Sequence, residues 1–205
     1  MGQKILLTIL FLLVSTGVFA QGIDLRLLEY INGPVSPTAD NNWRFVSNAS
    51  YYIDFSVPAG LVLAGIVNHD EALRIKGYDA AASLLIAAGA EVVLKDIVKR
   101  ERPFVTHPGL IIPKVTETDY SFPSGHSSLA FAAASSLSIA IPKWYVIVPS
   151  YAYAGAVGYS RLYLGVHYPS DVLAGAIIGA GSSYLTLIGQ HWLERKQLHK
   201  VHQPQ

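Results

Sequence analysis

The sequence contains no cysteine, which removes disulfides, thiol nucleophiles and thiolate metal ligands together. It is also poor in charge. Asp, Glu, Lys and Arg make up 14% of its 205 residues, against roughly 25% in an ordinary soluble domain. Neither sign is in excess: 15 Lys and Arg stand against 14 Asp and Glu, a net charge of +1, so there is no field to attract nucleic acid. Strand-like alternation of useful length and a repeat of fixed period are both missing. An H-E-x-x-H pair, a carboxylate cluster and a P-loop are missing too, so no metal and no cofactor is implied. What the chain has in quantity is apolar side chains, 51% of the total, with a mean hydropathy of +0.35. That composition excludes disorder and points to a membrane protein. The length has room for about six crossings of roughly 20 residues each.

Lys4 precedes an apolar run from Ile5 to Leu13, and a small-residue stretch ends at Val18-Phe19-Ala20. This is the layout of an export signal cleaved after Ala20, and an uncleaved first transmembrane helix fits the same residues 1–20. Residues 21–205 form the body. A short interfacial helix is expected over Gly22 to Asn32, closed by Gly33-Pro34. Apolar stretches then run over Phe55–Val67, Ala80–Val98, Ser127–Ile141, Trp144–Tyr159 and Val172–Gly189, with Trp43, Tyr51 and Tyr52 suited to the headgroup level. Five transmembrane helices are predicted, six if the first segment stays. Gly175, Gly179 and Gly181 are placed to let helices approach closely.

Parity of crossings puts Arg74, Lys76, Lys143, Arg195, Lys196 and Lys200 on the same side as Lys4. Positive charge collects on the cytoplasmic side of membrane proteins. The same bookkeeping sends Lys99 to Phe122 and Ser160 to Asp171 to the outer face.

Three clusters there carry chemistry. One is Lys95, six residues, then Arg102-Pro103. Another is Pro123-Ser124-Gly125-His126. The third is Ser160-Arg161, five residues, His167, three residues, Asp171. Lys95, Arg102 and Arg161 are three cations of the kind that grip a tetrahedral oxyanion, the guanidinium forks bidentately. Each also fits a snorkelling or surface role when taken alone. Pro123 to His126 opens an apolar helical run, so the amides after Ser124 project from a helix N-terminus, a ready anion site. Ser124 suits an N-cap, and its hydroxyl can donate to an oxyanion as well. Glu91 lies one turn before Lys95, spaced for an ion pair. Asp96 and Glu101 read either as supports behind the phosphate ligands or as solvated, His107 in the outer loop reads as solvated with substrate contact as the alternative, and His191, His199 and His202 belong to a polar tail.

Taken together, the three clusters resemble the motifs of the type 2 phosphatidic acid phosphatase (PAP2, lipid phosphate phosphatase) superfamily, in order and over Lys95 to Asp171. The resemblance implies an all-α, PAP2-type helical bundle, with residues 21–205 as the phosphatase domain. It implies phosphate ligation by Lys95, Arg102, Ser124, Gly125 and Arg161. His167 is then the nucleophile that forms a phosphohistidine, and His126 the general acid that later activates water. Asp171 fixes the His167 tautomer, as the carboxylate of a serine protease triad does. Metal and cofactor are not part of this chemistry.

The function expected from these readings is hydrolysis of a lipid phosphate monoester or diphosphate. The chain would be a multi-pass protein of a bacterial inner membrane, among membrane lipids, with the site facing the periplasm. Phosphatidic acid, phosphatidylglycerophosphate, undecaprenyl diphosphate and lipid A all fit an outward site. The small body and signal-like start point first to lipid A or undecaprenyl diphosphate. A soluble secreted class A-type acid phosphatase and a vanadium haloperoxidase share the same residues and stand as alternatives.

Overall fold

A computed structural model describes residues 22–34 and 36–201; the signal-like segment 1–20 lies outside the described residues. All regular structure among them is helical, apart from an isolated bridge between Pro108 and Ile111. Helix α1 covers residues 22–32. It is followed by α2 (Pro37–Val67), α3 (Glu71–Val98), a single turn α4 (Pro103–Thr106), α5 (Gly125–Ala140), α6 (Trp144–Tyr163) and α7 (Pro169–Val201).

The boundaries follow local chemistry. Pro37 and Pro169 stand at the first helical positions of α2 and α7, where a missing N–H costs nothing. Asp70 caps α3 by accepting from Leu73 N at 2.9 Å, and α3 ends at Lys99 in the left-handed conformation (φ 49°). Helix α2 starts well before the expected Phe55. The stretch ahead of Phe55 carries Asp40, Ser47, Ser50 and Asp54, which interrupt the apolar run yet are all buried. They face the bundle, while Asn41, Asn42, Arg44 and Asn48 are exposed on the other side, so this part of the helix is polar on both faces.

Helix α5 is the centre of the bundle and packs against α2, α3, α6 and α7. Its Ala130, Ala132, Ala133 and Ala134 are buried, as are Ser127, Ser128, Ser135 and Ser136. Small side chains let the neighbours approach almost to backbone contact. A Cβ on Gly175 of α7 would stand 2.6 Å from the Ser124 carbonyl oxygen, and one on Gly179 would collide with that of Ser128. The third glycine, Gly181, meets nothing within 4 Å and takes no part in this approach.

Of the five long helices, α2 and the Pro169–Leu193 part of α7 are long and apolar enough to cross a membrane by themselves. The others fall short of that measure, α5 because it has only 16 residues. Large apolar side chains such as Leu63, Leu85, Val92, Leu173 and Ile177 stand exposed around the bundle, more apolar surface than a water-facing domain carries.

The helix directions fix where chemistry can occur. The last turns of α3 and α6 carry Lys95 and Arg161, and they meet the N-termini of α5 and α7. Cations at helix C-termini and amide dipoles at helix N-termini are both favourable arrangements. Together they concentrate positive potential at one end of the bundle. The loop Lys99–Phe122 and α1 cover that end. Asn32 pins α1 there by donating to the carbonyls of Ile112 and Tyr163 at 3.0 and 2.9 Å.

Candidate active site

Arg102 opens the short helix α4 and is 3% exposed. Its Nε donates to the Asp119 carbonyl and its Nη1 to the Val166 carbonyl, both at 2.8 Å. The same Nη1 lies 3.3 Å from His167 Nε2. A guanidinium has only donors, so Nε2 accepts in this contact. The neutral imidazole therefore carries its proton on Nδ1, and Nε2 presents a lone pair.

His167 sits in the α6–α7 loop, 1% exposed. Burial pushes its pKa down to about 4; Asp171 opposes the shift, and the charges of Arg161 and Arg102 add to it. The ring is thus uncharged at neutral pH, the form in which an imidazole is able to act as a nucleophile. Nδ1 faces Asp171 Oδ2 at 3.6 Å. This is longer than a hydrogen bond, and Nδ1 has no hydrogen-bond partner. The expected pairing is one of orientation and charge in this structure, with the bond itself not closed.

Asp171 is completely buried and heavily supported. Its Oδ2 accepts from the Tyr168 backbone N–H at 2.8 Å and from the Ser121 hydroxyl. Its Oδ1 accepts from Arg100 Nη1 at 2.6 Å. The Tyr168 bond is the back-reaching half of a capping box, made by the third residue of α7. The sequence spacing Pro169 to Asp171 therefore caps the helix and presents the carboxylate in one move.

The Pro123–His126 turn is joined to this assembly through backbone. Ser124 N donates to the Asp171 carbonyl at 3.1 Å. The Ser124 side chain caps α5, its oxygen accepting from Ser127 N at 3.4 Å and Ser127 Oγ at 3.0 Å. Both bonds use Ser124 Oγ as acceptor, so its own proton remains available for donation. Gly125 lies against Glu91 of α3: a Cβ there would collide with the Glu91 carboxylate. Glu91 in turn pairs with Lys95 Nζ at 2.8 Å, the ion pair expected from their spacing. His126 Nδ1 lies 3.3 Å from the Tyr51 hydroxyl, their ring centroids 4.5 Å apart. It also feels the charges of Arg161, His167, Lys95 and Arg102.

The three cations are gathered by two residues of the covering loop. Asp119 bonds both Lys95 Nζ and Arg102 Nη2 through its two carboxylate oxygens. Glu117 bonds Arg161 Nη2 through Oε1, with Oε2 at 3.8 Å from Arg102. Burial would raise the Asp119 pKa, but the bonds from Lys95 and Arg102 outweigh it and hold the carboxyl at about 2. Arg161 also donates from Nη1 to Ser47 Oγ at 2.5 Å, and its buried Nε has no hydrogen-bond partner. A chain of contacts thus runs Lys95, Asp119, Arg102, Glu117, Arg161, with His167 beside Arg102. The motif residues, which span 77 positions from Lys95 to Asp171 in the sequence, meet at one end of the bundle.

Sequence reasoning missed Glu117, Asp119, Ser121, Arg100, Ser47 and Tyr51. The only signal for the two acids was their position within a few residues of Pro123. Asp96 and Glu101 are exposed, the solvated one of their two expected roles. His107 stays in the loop, where its Nδ1 contacts Thr106 Oγ1 at 2.8 Å.

The model of the PAP2 superfamily matches residues 77–195. An undecaprenyl-diphosphatase of Sulfolobus acidocaldarius is 32% identical, over 89% of this chain and 88% of its own length. The chain belongs to the PAP2 superfamily. A lipid A 4'-phosphatase of Bacteroides thetaiotaomicron is 28% identical over 85% of this chain and 80% of that protein. The crystal structure of a transmembrane PAP2-type phosphatidylglycerolphosphate phosphatase from Bacillus subtilis has the same fold. It superposes with a TM-score of 0.67 over 93% of this chain and 97% of that one, at 23% identity. The PAP2 protein described here is accordingly a membrane lipid-phosphate phosphatase, and a soluble secreted acid phosphatase is not favoured.

Proposed function

We propose that this PAP2 enzyme removes a terminal phosphate from a lipid phosphate or diphosphate by way of a covalent phosphohistidine at His167. The observation that carries the proposal is the contact of Arg102 Nη1 with His167 Nε2 at 3.3 Å. It sets a guanidinium fork directly beside the imidazole nitrogen, so a phosphate gripped by that fork is presented next to Nε2 once the phosphate oxygens take over the guanidinium donors. In the first step Nε2 attacks phosphorus and the bond to the lipid oxygen breaks. His126 protonates the departing oxygen. Lys95, Arg102 and Arg161, the Ser124 hydroxyl and the amides opening α5 hold the equatorial oxygens as charge builds on them. His167 becomes cationic when its nitrogen is phosphorylated, and Asp171 stabilises that cation across the ring. In the second step His126 takes a proton from water, the water oxygen bonds to phosphorus and the P–N bond breaks. Inorganic phosphate leaves.

The residues 1–20 serve in this reading as an export signal or a first crossing, and five long helices follow. The enzyme lies in a bacterial inner membrane with the site end toward the periplasm. Arg74, Lys76, Lys143 and Arg195 stand at the end away from the site, the distribution expected of cytoplasmic loops. Undecaprenyl diphosphate and lipid A are the favoured substrates, supported by the two relatives of nearly full coverage. Release of inorganic phosphate in detergent from undecaprenyl diphosphate, lipid A, phosphatidic acid and phosphatidylglycerophosphate tests the proposal. Turnover of one of the first two by wild type and not by His167→Ala is expected. Full activity of His167→Ala would refute the nucleophile, and activity confined to the glycerolipids would refute the substrate choice.

A further inference from the structure

Arg100 lies inside the six-residue spacer between Lys95 and Arg102, where it has no part in gripping phosphate. Its guanidinium nonetheless touches the catalytic assembly from behind. Nη1 donates to Asp171 Oδ1 at 2.6 Å and to Ser170 Oγ at 2.7 Å, and Nη2 donates to Asp24 Oδ2 at 3.1 Å. The plane of the fork rests 3.8 Å over the Tyr168 ring. The backbone carbonyl of Arg100 accepts from Ser121 N at 2.8 Å, and the Ser121 hydroxyl goes to Asp171 Oδ2. Asp24 comes from α1 and is 6% exposed. Its Oδ1 accepts from Ser170 N at 3.0 Å and its Oδ2 from the Ser170 hydroxyl. Asp24 therefore grips the first turn of α7 and Arg100 together.

Two buried carboxylates sharing one arginine is a costly arrangement unless it holds something in place. What it holds is the Asp171 side chain. With Oδ1 fixed by Arg100 and Oδ2 by Tyr168 N and Ser121, the carboxylate cannot rotate, and Oδ2 stays opposite His167 Nδ1. Charge gives a second reason. Arg100 alone would draw the Asp171 charge away from the imidazole, whereas Asp24 neutralises part of Arg100 from its far side. Along Asp24, Arg100, Asp171 and His167 the signs alternate fully only when His167 is cationic, which is its state while phosphorus is bonded to it.

We infer that Asp24 and Arg100 are positioning residues for the His167–Asp171 pair, and that α1, ahead of the three motifs, is a working part of the site. This inference rests on the phosphohistidine reading above.

The test uses the full chain in detergent with whichever lipid phosphate is turned over, comparing Arg100→Ala, Arg100→Lys, Asp24→Asn and His167→Ala with wild type. Arg100→Ala and Asp24→Asn are expected to lower kcat about 10- to 100-fold, the scale on which partners of functional ligands act, with KM within about twofold. Added guanidinium ion should restore part of the Arg100→Ala rate, and methylammonium should not. Arg100→Lys should fall between, because one ammonium cannot bridge three acceptors in a plane. If Arg100→Ala fails to fold, Asp24→Asn decides by itself, since it keeps both shape and arginine. Folded Asp24→Asn with wild-type kcat, or with a raised KM alone, would overturn the positioning role. An active His167→Ala would instead overturn the reading beneath it, so the two failures are distinguishable.

Discussion

At the residue scale, the three cations of the site are bonded by the protein's own acids. Asp119 bridges Lys95 and Arg102, and Glu117 bridges toward Arg161. In the proposed mechanism a phosphate takes those donors only by displacing the acids. On that proposal the two acids lower the affinity for an oxyanion, and their ion pairs offset the mutual repulsion of the three cations. Acid does not relieve the competition, because the Asp119 carboxyl is held at about 2 and stays ionised at any working pH. Asp119→Asn keeps the shape and removes the charge. It should tighten competitive inhibition by inorganic phosphate about tenfold, equivalent to roughly 1.4 kcal/mol, as read from the inhibition constant. Weaker inhibition would mean that Asp119 orders the cations for phosphate and does not compete with it. The sequence displayed the cations and both histidines through their fixed spacing. It concealed the acids, since nothing in the sequence ties Glu117 and Asp119 to the cations until the fold lays their loop over the helix ends. Tyr51 and Ser47 were hidden for the same reason: only helix packing brings them to His126 and Arg161.

At the element scale, helix number and order were legible and helix length was less so. Apolar runs located the cores of α3, α5, α6 and α7. They missed the part of α2 ahead of Phe55, where Asp40, Ser47, Ser50 and Asp54 point inward. With polar residues buried there and Asn41, Asn42, Arg44 and Asn48 exposed as well, the stretch shows no apolar stripe of the kind by which amphipathic helices are recognised. Tyr153 shows what these polar groups meet there, donating to Asp54 Oδ1 at 2.9 Å and to the Ser50 carbonyl at 3.1 Å. Close approach of α5 and α7 is the other determinant, and it sets the spacing between the Ser124 turn and Asp171. Gly179→Ala forces a Cβ into the Ser128 carbonyl and should destabilise by about 1–3 kcal/mol, the usual cost of overpacking. Gly181→Ala meets open space and should be neutral or slightly stabilising, since alanine favours helix over glycine. Thermal unfolding in detergent reads both. Equal melting temperatures for the two variants would show that contact at Gly179 does not set the packing.

At the scale of the whole molecule, the bundle separates its charges by end. One end carries the site with its cations and acids interlocked, and the other carries Arg74, Lys76, Lys143 and the basic tail. Between them the surface is apolar, as a protein surrounded by lipid requires. The absence of native cysteine makes single-cysteine probes clean. Thr118→Cys, in the exposed covering loop, should react with an impermeant maleimide on intact cells, and Glu71→Cys only after permeabilisation. The reverse labelling would turn the site inward and refute the proposed orientation. The deepest claim is that three separated motifs make one oxyanion pocket whose nucleophile is an imidazole. Rapid acid-free quenching of turnover with a lipid substrate labelled in its terminal phosphate, followed by mapping of the labelled peptide, tests it most directly. The account predicts acid-labile phosphate on His167, absent from His167→Ala; label on Ser124, or steady turnover by His167→Ala with no label on any residue, would contradict it.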